Sequence, residues 1–163
     1  MDLRKIYGYA LGREYEGKRF FEENAARLTQ AAAVDAFRRL AVEEQKHIDY
    51  IQRQIDALVL GQPSNPLPDP DLQPAEFFSS RSFSEALDQT VLEAMVPDLP
   101  VLRMAYLIER DFSEFYEKAA SQADGPARLV LETLAAWERR HEALFRKFHD
   151  DAFELYAHMP WGG

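Results

Sequence analysis

The pattern Glu, Glu-x-x-His runs twice through this chain. Glu14 precedes Glu44 and His47, and Glu109 precedes Glu138 and His141, each lone glutamate standing about thirty residues ahead of its motif. Residues three apart share one face of an α-helix about one turn apart, so each Glu-x-x-His aims a carboxylate and an imidazole at one point. A carboxylate has two oxygens and can bridge two cations, whereas an imidazole nitrogen binds one. Four carboxylates and two imidazoles on four helices are the donor set that a pair of hard or borderline metal ions takes inside a helix bundle. The candidate metal ligands are therefore Glu14, Glu44, His47, Glu109, Glu138 and His141.

The apolar period is helical nearly throughout, and the ligand candidates interrupt the apolar faces. A first helix is expected from about Leu3 to Leu28, with Tyr7, Ala10, Leu11, Phe21, Ala25 and Leu28 on the face that holds Glu14. A second, from about Ala33 to Leu60, carries Phe37, Leu40, Ala41, Ile48, Ile51 and Ile55 around Glu44 and His47, with Gly61 as its C-cap. Five prolines between Gln62 and Pro74 exclude a helix there, and a short helix is expected at about Ser82 to Met95. Pro97 and Pro100 lead into a third long helix, about Leu99 to Ser121, with Leu102, Ala105, Tyr106, Phe112, Tyr116 and Ala120 beside Glu109. Asp124-Gly125-Pro126 is a turn and helix start for the fourth, which holds Leu131, Leu134, Ala135, Phe145 and Phe148 around Glu138 and His141 and ends before Pro160.

The halves repeat. Leu40-Ala41-x-x-Glu44-x-x-His47 matches Leu134-Ala135-x-x-Glu138-x-x-His141, and Ala10 through Phe20-Phe21 matches Ala105 through Phe115-Tyr116. The reading is an all-α, antiparallel four-helix bundle in a single domain, residues 1–163. Hairpin 1 spans about 3–60, a long crossover with its short helix 61–98, hairpin 2 99–150, and a C-terminal extension 151–163.

Composition narrows the function. A net charge of −9 disfavours nucleic acid as a partner. No cysteine is present, which excludes disulfides, thiolate zinc, iron–sulfur clusters and cysteine nucleophiles. No apolar run reaches membrane-spanning length and no leader-like apolar stretch follows Met1, so no membrane partner and a cytoplasmic location are expected.

Four carboxylates on apolar faces need compensation, by cations or by protons. Metal ions are the simplest; the alternative is a hydrogen-bonded Glu/His/Tyr network without metal. In the absence of metal some of these carboxylates should take up protons. Glu16 and Asp111, two residues past Glu14 and Glu109, should point away from the site. Glu43, His149 and His158 read as surface residues, and Trp137 and Phe20-Phe21 as packing. Tyr7, Tyr106 and Tyr116 lie on inner faces, where a hydroxyl could hold a ligand carboxylate.

With these motifs in place, the chain resembles the ferritin-like superfamily and, within it, the rubrerythrin-like proteins. The resemblance covers all but the crossover and the C-terminus. It implies Glu14 and Glu109 as terminal carboxylate ligands, Glu44 and Glu138 as bridging carboxylates, and His47 and His141 as one imidazole per metal. It implies two iron ions, where spacing alone also admits manganese or a mixed pair. It further implies redox activity toward hydrogen peroxide or dioxygen, a separate electron-donor protein, and a homodimer. Two departures stand out. Phe112 occupies the place of an additional rubrerythrin glutamate, and a cysteine-free chain has no rubredoxin module. Ferroxidase-type iron handling or storage, and a non-catalytic metal-binding or structural helical module, are the competing readings.

Overall fold

The computed structural model describes residues 2–67 and 96–159. It is all-helical there, with no strand among the described residues. The long helices are α1 (Leu3–Ala25), α2 (Ala31–Val59), α3 (Leu99–Ala120) and α4 (Gly125–His158); a 3₁₀ turn, Val96–Asp98, leads into α3. The short helix expected at 82–95 falls outside the described residues.

Local chemistry sets most of the ends. Asp2 caps α1, its side chain accepting from the Lys5 amide at 3.3 Å. The helix stops three residues before the expected Leu28. The Asn24 carbonyl accepts from both Arg27 and Leu28, and the Asn24 amide donates back to Phe20 O, which turns the chain. Leu28 still packs into the core, but from the turn. At the end of α2, Gly61 has φ +69°, Gln62 N donates to Ala57 O and Gly61 N to Leu58 O. This paired closure needs the left-handed conformation that glycine adopts without strain. In α4, Gly125 opens the helix with a proline behind it, and the helix runs unbroken to His158, ending before Pro160 as expected and taking in residues 151–158 of the C-terminal extension.

Short turns make α1–α2 and α3–α4 antiparallel hairpins. The apolar side chains fall into two clusters. Tyr7, Ala10, Tyr50, Ile51, Phe112, Tyr116, Leu131 and Leu134 belong to one. Phe21, Phe37, Leu40, Leu102, Ala105, Phe145 and Phe148 belong to the other. Along each helix the ligand candidates lie between its contributions to the two, so a polar layer is sandwiched by two apolar ones. Going from N- to C-terminus, α1 and α4 pass from the first cluster to the second, while α2 and α3 pass from the second to the first. Consecutive helices α2 and α3 are thus parallel, and the chain between them must travel back along the bundle, a distance of roughly 40 Å for helices of this length. That is the physical reason for a long crossover.

In the second cluster Phe21 and Phe145 stack at 5.7 Å, with Phe37 edge-on to both at 5.4 and 5.2 Å. A longer-range tie joins the hairpins. The buried Asp98 carboxylate accepts from Thr29 N, Thr29 Oγ1 and Gln30 N at 3.1–3.2 Å, holding the start of α2 to the start of α3. No helix among the described residues is long and apolar enough to cross a membrane.

Candidate metal centre

The six residues picked from spacing all lie in the polar layer, and each is at most 3% exposed. Glu44, His47, Glu138 and His141 each offer a donor atom within 4.8 Å of the others. The distances sort the six into two halves. His47 Nδ1 lies 3.3 Å from Glu14 Oε2, 3.7 Å from Glu44 Oε2 and 2.9 Å from Glu138 Oε1. His141 Nδ1 lies 3.5 Å from Glu109 Oε2, 3.5 Å from Glu44 Oε1 and 3.4 Å from Glu138 Oε2. Glu44 and Glu138 therefore turn one oxygen toward each histidine. Glu14 meets only His47, and Glu109 only His141. The imidazoles are near-parallel, 5.3 Å apart.

This layer suits cations. The oxygens of Glu44, Glu109 and Glu138 are fully buried and accept no well-formed hydrogen bond among the described residues, although imidazole nitrogens lie close to them. Buried carboxylates in that condition cost several kcal/mol each, and lone pairs converging on shared points are what a cation requires. The arrangement can hold a dimetal site: its oxygen and imidazole donors suit hard or borderline cations.

Without a cation, protons perform the compensation. Burial, then the charges of the neighbouring central carboxylates, push Glu14 and Glu109 well above the usual carboxylate range. Burial alone would lower both histidines. For His47 the Glu138 and Glu44 charges outweigh it, and for His141 the adjacent Glu109, Glu138 and Glu44 carboxylates do, so both are raised. Glu138 goes the other way: burial opposes ionisation, but His47 and His141 together hold it below its ordinary value. The proton uptake expected from sequence thus falls on Glu14 and Glu109 and spares Glu138.

Around the ligands, Tyr116 donates its hydroxyl to Glu14 Oε1 from α3. It is the one inner-face tyrosine that reaches a ligand. Tyr7 instead meets Ser64 Oγ at 3.0 Å, and the half-buried Tyr106 packs edge-on against His149 at 5.4 Å. Trp137 is packing, as expected, and its partner is a ligand candidate: it stacks on His47 at 4.9 Å, with Tyr50 edge-on behind it at 5.2 Å. Glu16 and Asp111 are exposed, as the helical period requires.

Glu43 corrects the reading from sequence. It is buried, not a surface charge, and pairs with Lys46 at 2.8 Å, one turn on along α2. Its burial depends on the packing of neighbouring helices, which spacing along one helix does not reveal. His149 is partly covered as well, stacked on Phe153, whereas His158 is exposed. The sequence reading also passed over Gly17, one turn past Glu14. A Cβ there would come within 3.0 Å of Phe112 and 3.6 Å of Glu44 Oε2. The available signal was a glycine inside a long helix at the ligand spacing.

Comparison with protein-family models, with curated proteins and with solved structures finds no match.

Proposed function

We propose that this chain is a ferritin-like, rubrerythrin-like dimetal carboxylate protein that binds two iron ions and reduces hydrogen peroxide or dioxygen. The observation that carries the reading is the pairing of oxygens. Glu44 and Glu138 each present one oxygen to the His47 side and one to the His141 side, as bridging carboxylates must. Glu14 and Glu109 each serve one side only, as terminal ligands do. Iron, when bound, would supply one electron from each Fe(II), so that hydrogen peroxide and two protons give two waters.

The chain's own part is to hold the donors in place and keep bulk water out. Two apolar clusters close the layer from both ends. Tyr116 fixes the orientation of Glu14 and is the nearest hydroxyl from which a proton could reach that carboxylate. Electrons return from a separate donor protein, because the chain has no cysteine to hold a redox cluster of its own. The homodimer implied by the resemblance belongs to this proposal.

The test is anaerobic loading with Fe(II), metal analysis, and one equivalent of hydrogen peroxide, with the oxidation state read by Mössbauer spectroscopy. The reading expects two irons per chain and their conversion to Fe(III). Fewer than one iron per chain, or Fe(II) that survives peroxide, would overturn it.

A further inference from the structure

The two halves of the polar layer differ one turn past the single glutamates. There α1 has Gly17 and α3 has Phe112, at corresponding positions after Glu14 and Glu109. The substitution is geometric as well as sequential. The point where a Cβ of residue 17 would sit lies 3.0 Å from Phe112 Cε2, 3.5 Å from Phe112 Cζ and 3.6 Å from Glu44 Oε2. The ring edge of Phe112 thus packs into the place a side chain at position 17 would take, beside an oxygen of a central carboxylate. That oxygen is the one Glu44 turns toward His47.

Outside the ring lies the guanidinium of Arg13, 5.0 Å from the ring centroid. Arg13 is about one-third exposed and tethered by Glu16 at 3.1 Å, while Phe112 itself is only 3% exposed. Arg13 thus contacts the Phe112 ring, the ring edge meets Gly17, and Gly17 adjoins Glu44. One aromatic side chain separates an accessible cation from a central carboxylate. The ends of the layer are sealed by whole apolar clusters, and Trp137 stacks over His47. The α1/α3 side is also the donor-poor side: each of these helices brings one ligand candidate where α2 and α4 bring two. A ring held by dispersion and by a cation over its face has no hydrogen bond to break when it swings.

We propose that Phe112, closing against Gly17, is the gate of the metal centre, and that it restricts access to molecules about the size of hydrogen peroxide or dioxygen. Phe112 is then a specificity-determining residue. This rests on the dimetal reading above, and the experiment separates the two.

Load the full chain with Co(II), confirm stoichiometry by metal analysis, and follow its visible absorption on mixing with azide, a slim triatomic anion, or with benzoate, a bulky one. In wild type, azide binds and benzoate does not. In Phe112→Ala, azide associates at least tenfold faster and benzoate now binds. In Gly17→Ala, the added methyl fills the passage and slows azide at least severalfold. A general loosening of the fold would move both variants the same way; a gate moves them in opposite directions, and Gly17→Ala keeps the test standing where the cavity variant fails to fold. Benzoate binding to wild type, or azide rates that shift in the same direction or not at all in variants that load Co(II) fully, would overturn the gate alone. A wild-type chain that takes up no Co(II) would overturn the dimetal reading and the gate together.

Discussion

Removing one hydroxyl should make the two halves of the metal layer respond differently. Tyr116 donates to Glu14 Oε1, and the other oxygen of Glu14 faces His47 at 3.3 Å. The equivalent place in the other half, seven residues after Glu14 as Tyr116 is after Glu109, is Phe21, which has no hydroxyl to offer Glu109. Among the described residues, Glu14 is therefore held by an outer hydroxyl and Glu109 is not. Tyr116→Phe deletes that partner and keeps the ring, which packs against Phe115 at 5.2 Å. Losing an outer hydrogen bond to a metal ligand typically costs roughly 10–100-fold in affinity, about 1.4–2.8 kcal/mol. Because Glu14 serves only the His47 side, the loss should fall on one cation of two. Titration of the metal-free protein with Mn(II), with free Mn(II) read by electron paramagnetic resonance, should give two unequal steps in wild type. In the variant the tighter step should weaken by that factor and the other should hold. Equal weakening of both steps, or no change in either, in a variant that still folds would refute the half-site reasoning.

Three other outcomes follow from the same structure. Glu44→Ala or Glu138→Ala should lower occupancy of both cations and His47→Ala or His141→Ala of one, as metal analysis after dialysis would show; mild, equal losses from all four would contradict the bridging assignment. Phe145→Ala removes a fully buried ring stacked on Phe21 and should lower unfolding free energy by about 3–5 kcal/mol in urea, against about 1 kcal/mol or less at an exposed position. Asp98→Ala leaves the Thr29 and Gln30 amides without their acceptor and should cost about 1–3 kcal/mol in the same assay, whereas a variant at the exposed Glu16 should not.

The helices and the gathering of the six Glu and His side chains in one layer were legible because both rest on periodicity. A 3.6-residue repeat of apolar positions is a local property, and the offset that places Glu44 and His47 on that stripe is visible in one turn. What escaped was set by partners distant in sequence or by side-chain reach. Asp98 binds residues 69 positions away, which no local pattern encodes. Glu43 is buried by the packing of neighbouring helices, which its own helix does not show. The early end of α1 turns on one asparagine bonding back to Phe20 O, although the apolar period runs on to Leu28. The Gly17–Phe112 contact needs two helices in register before either residue has meaning. Tyr116 could be placed on an inner face from sequence, but choosing it over Tyr7 and Tyr106 required knowing which helix stands opposite.

Charge balance in the polar layer connects its stability to its chemistry. Four ionised carboxylates carry four negative charges, and two divalent cations with two neutral imidazoles cancel them. Without cations the chain reaches balance with protons on the same atoms, since Glu14, Glu109, His47 and His141 all hold theirs more tightly than in an unfolded chain. Loading should therefore release protons, which an indicator dye in weakly buffered solution can detect. For the metal-free protein, each of these raised groups stabilises the fold fully below its unfolded value, about 4.3 for Glu and 6.5 for His, and loses that contribution as pH rises through its folded value. Glu138, lowered by its two histidines, contributes in the opposite sense, losing stability only as pH falls below its unfolded value. Glu14 and Glu109 begin to lose this contribution above about pH 4.3 and the two histidines above about pH 6.5, so the metal-free melting temperature should fall toward alkaline pH. Cations bind the deprotonated ligands, so the increase in melting temperature on adding Mn(II) should grow over that same range. A metal-free melting temperature that rises from pH 5.5 to 8, or a Mn(II) increment that shrinks, would mean that this layer is not where protons and cations compete.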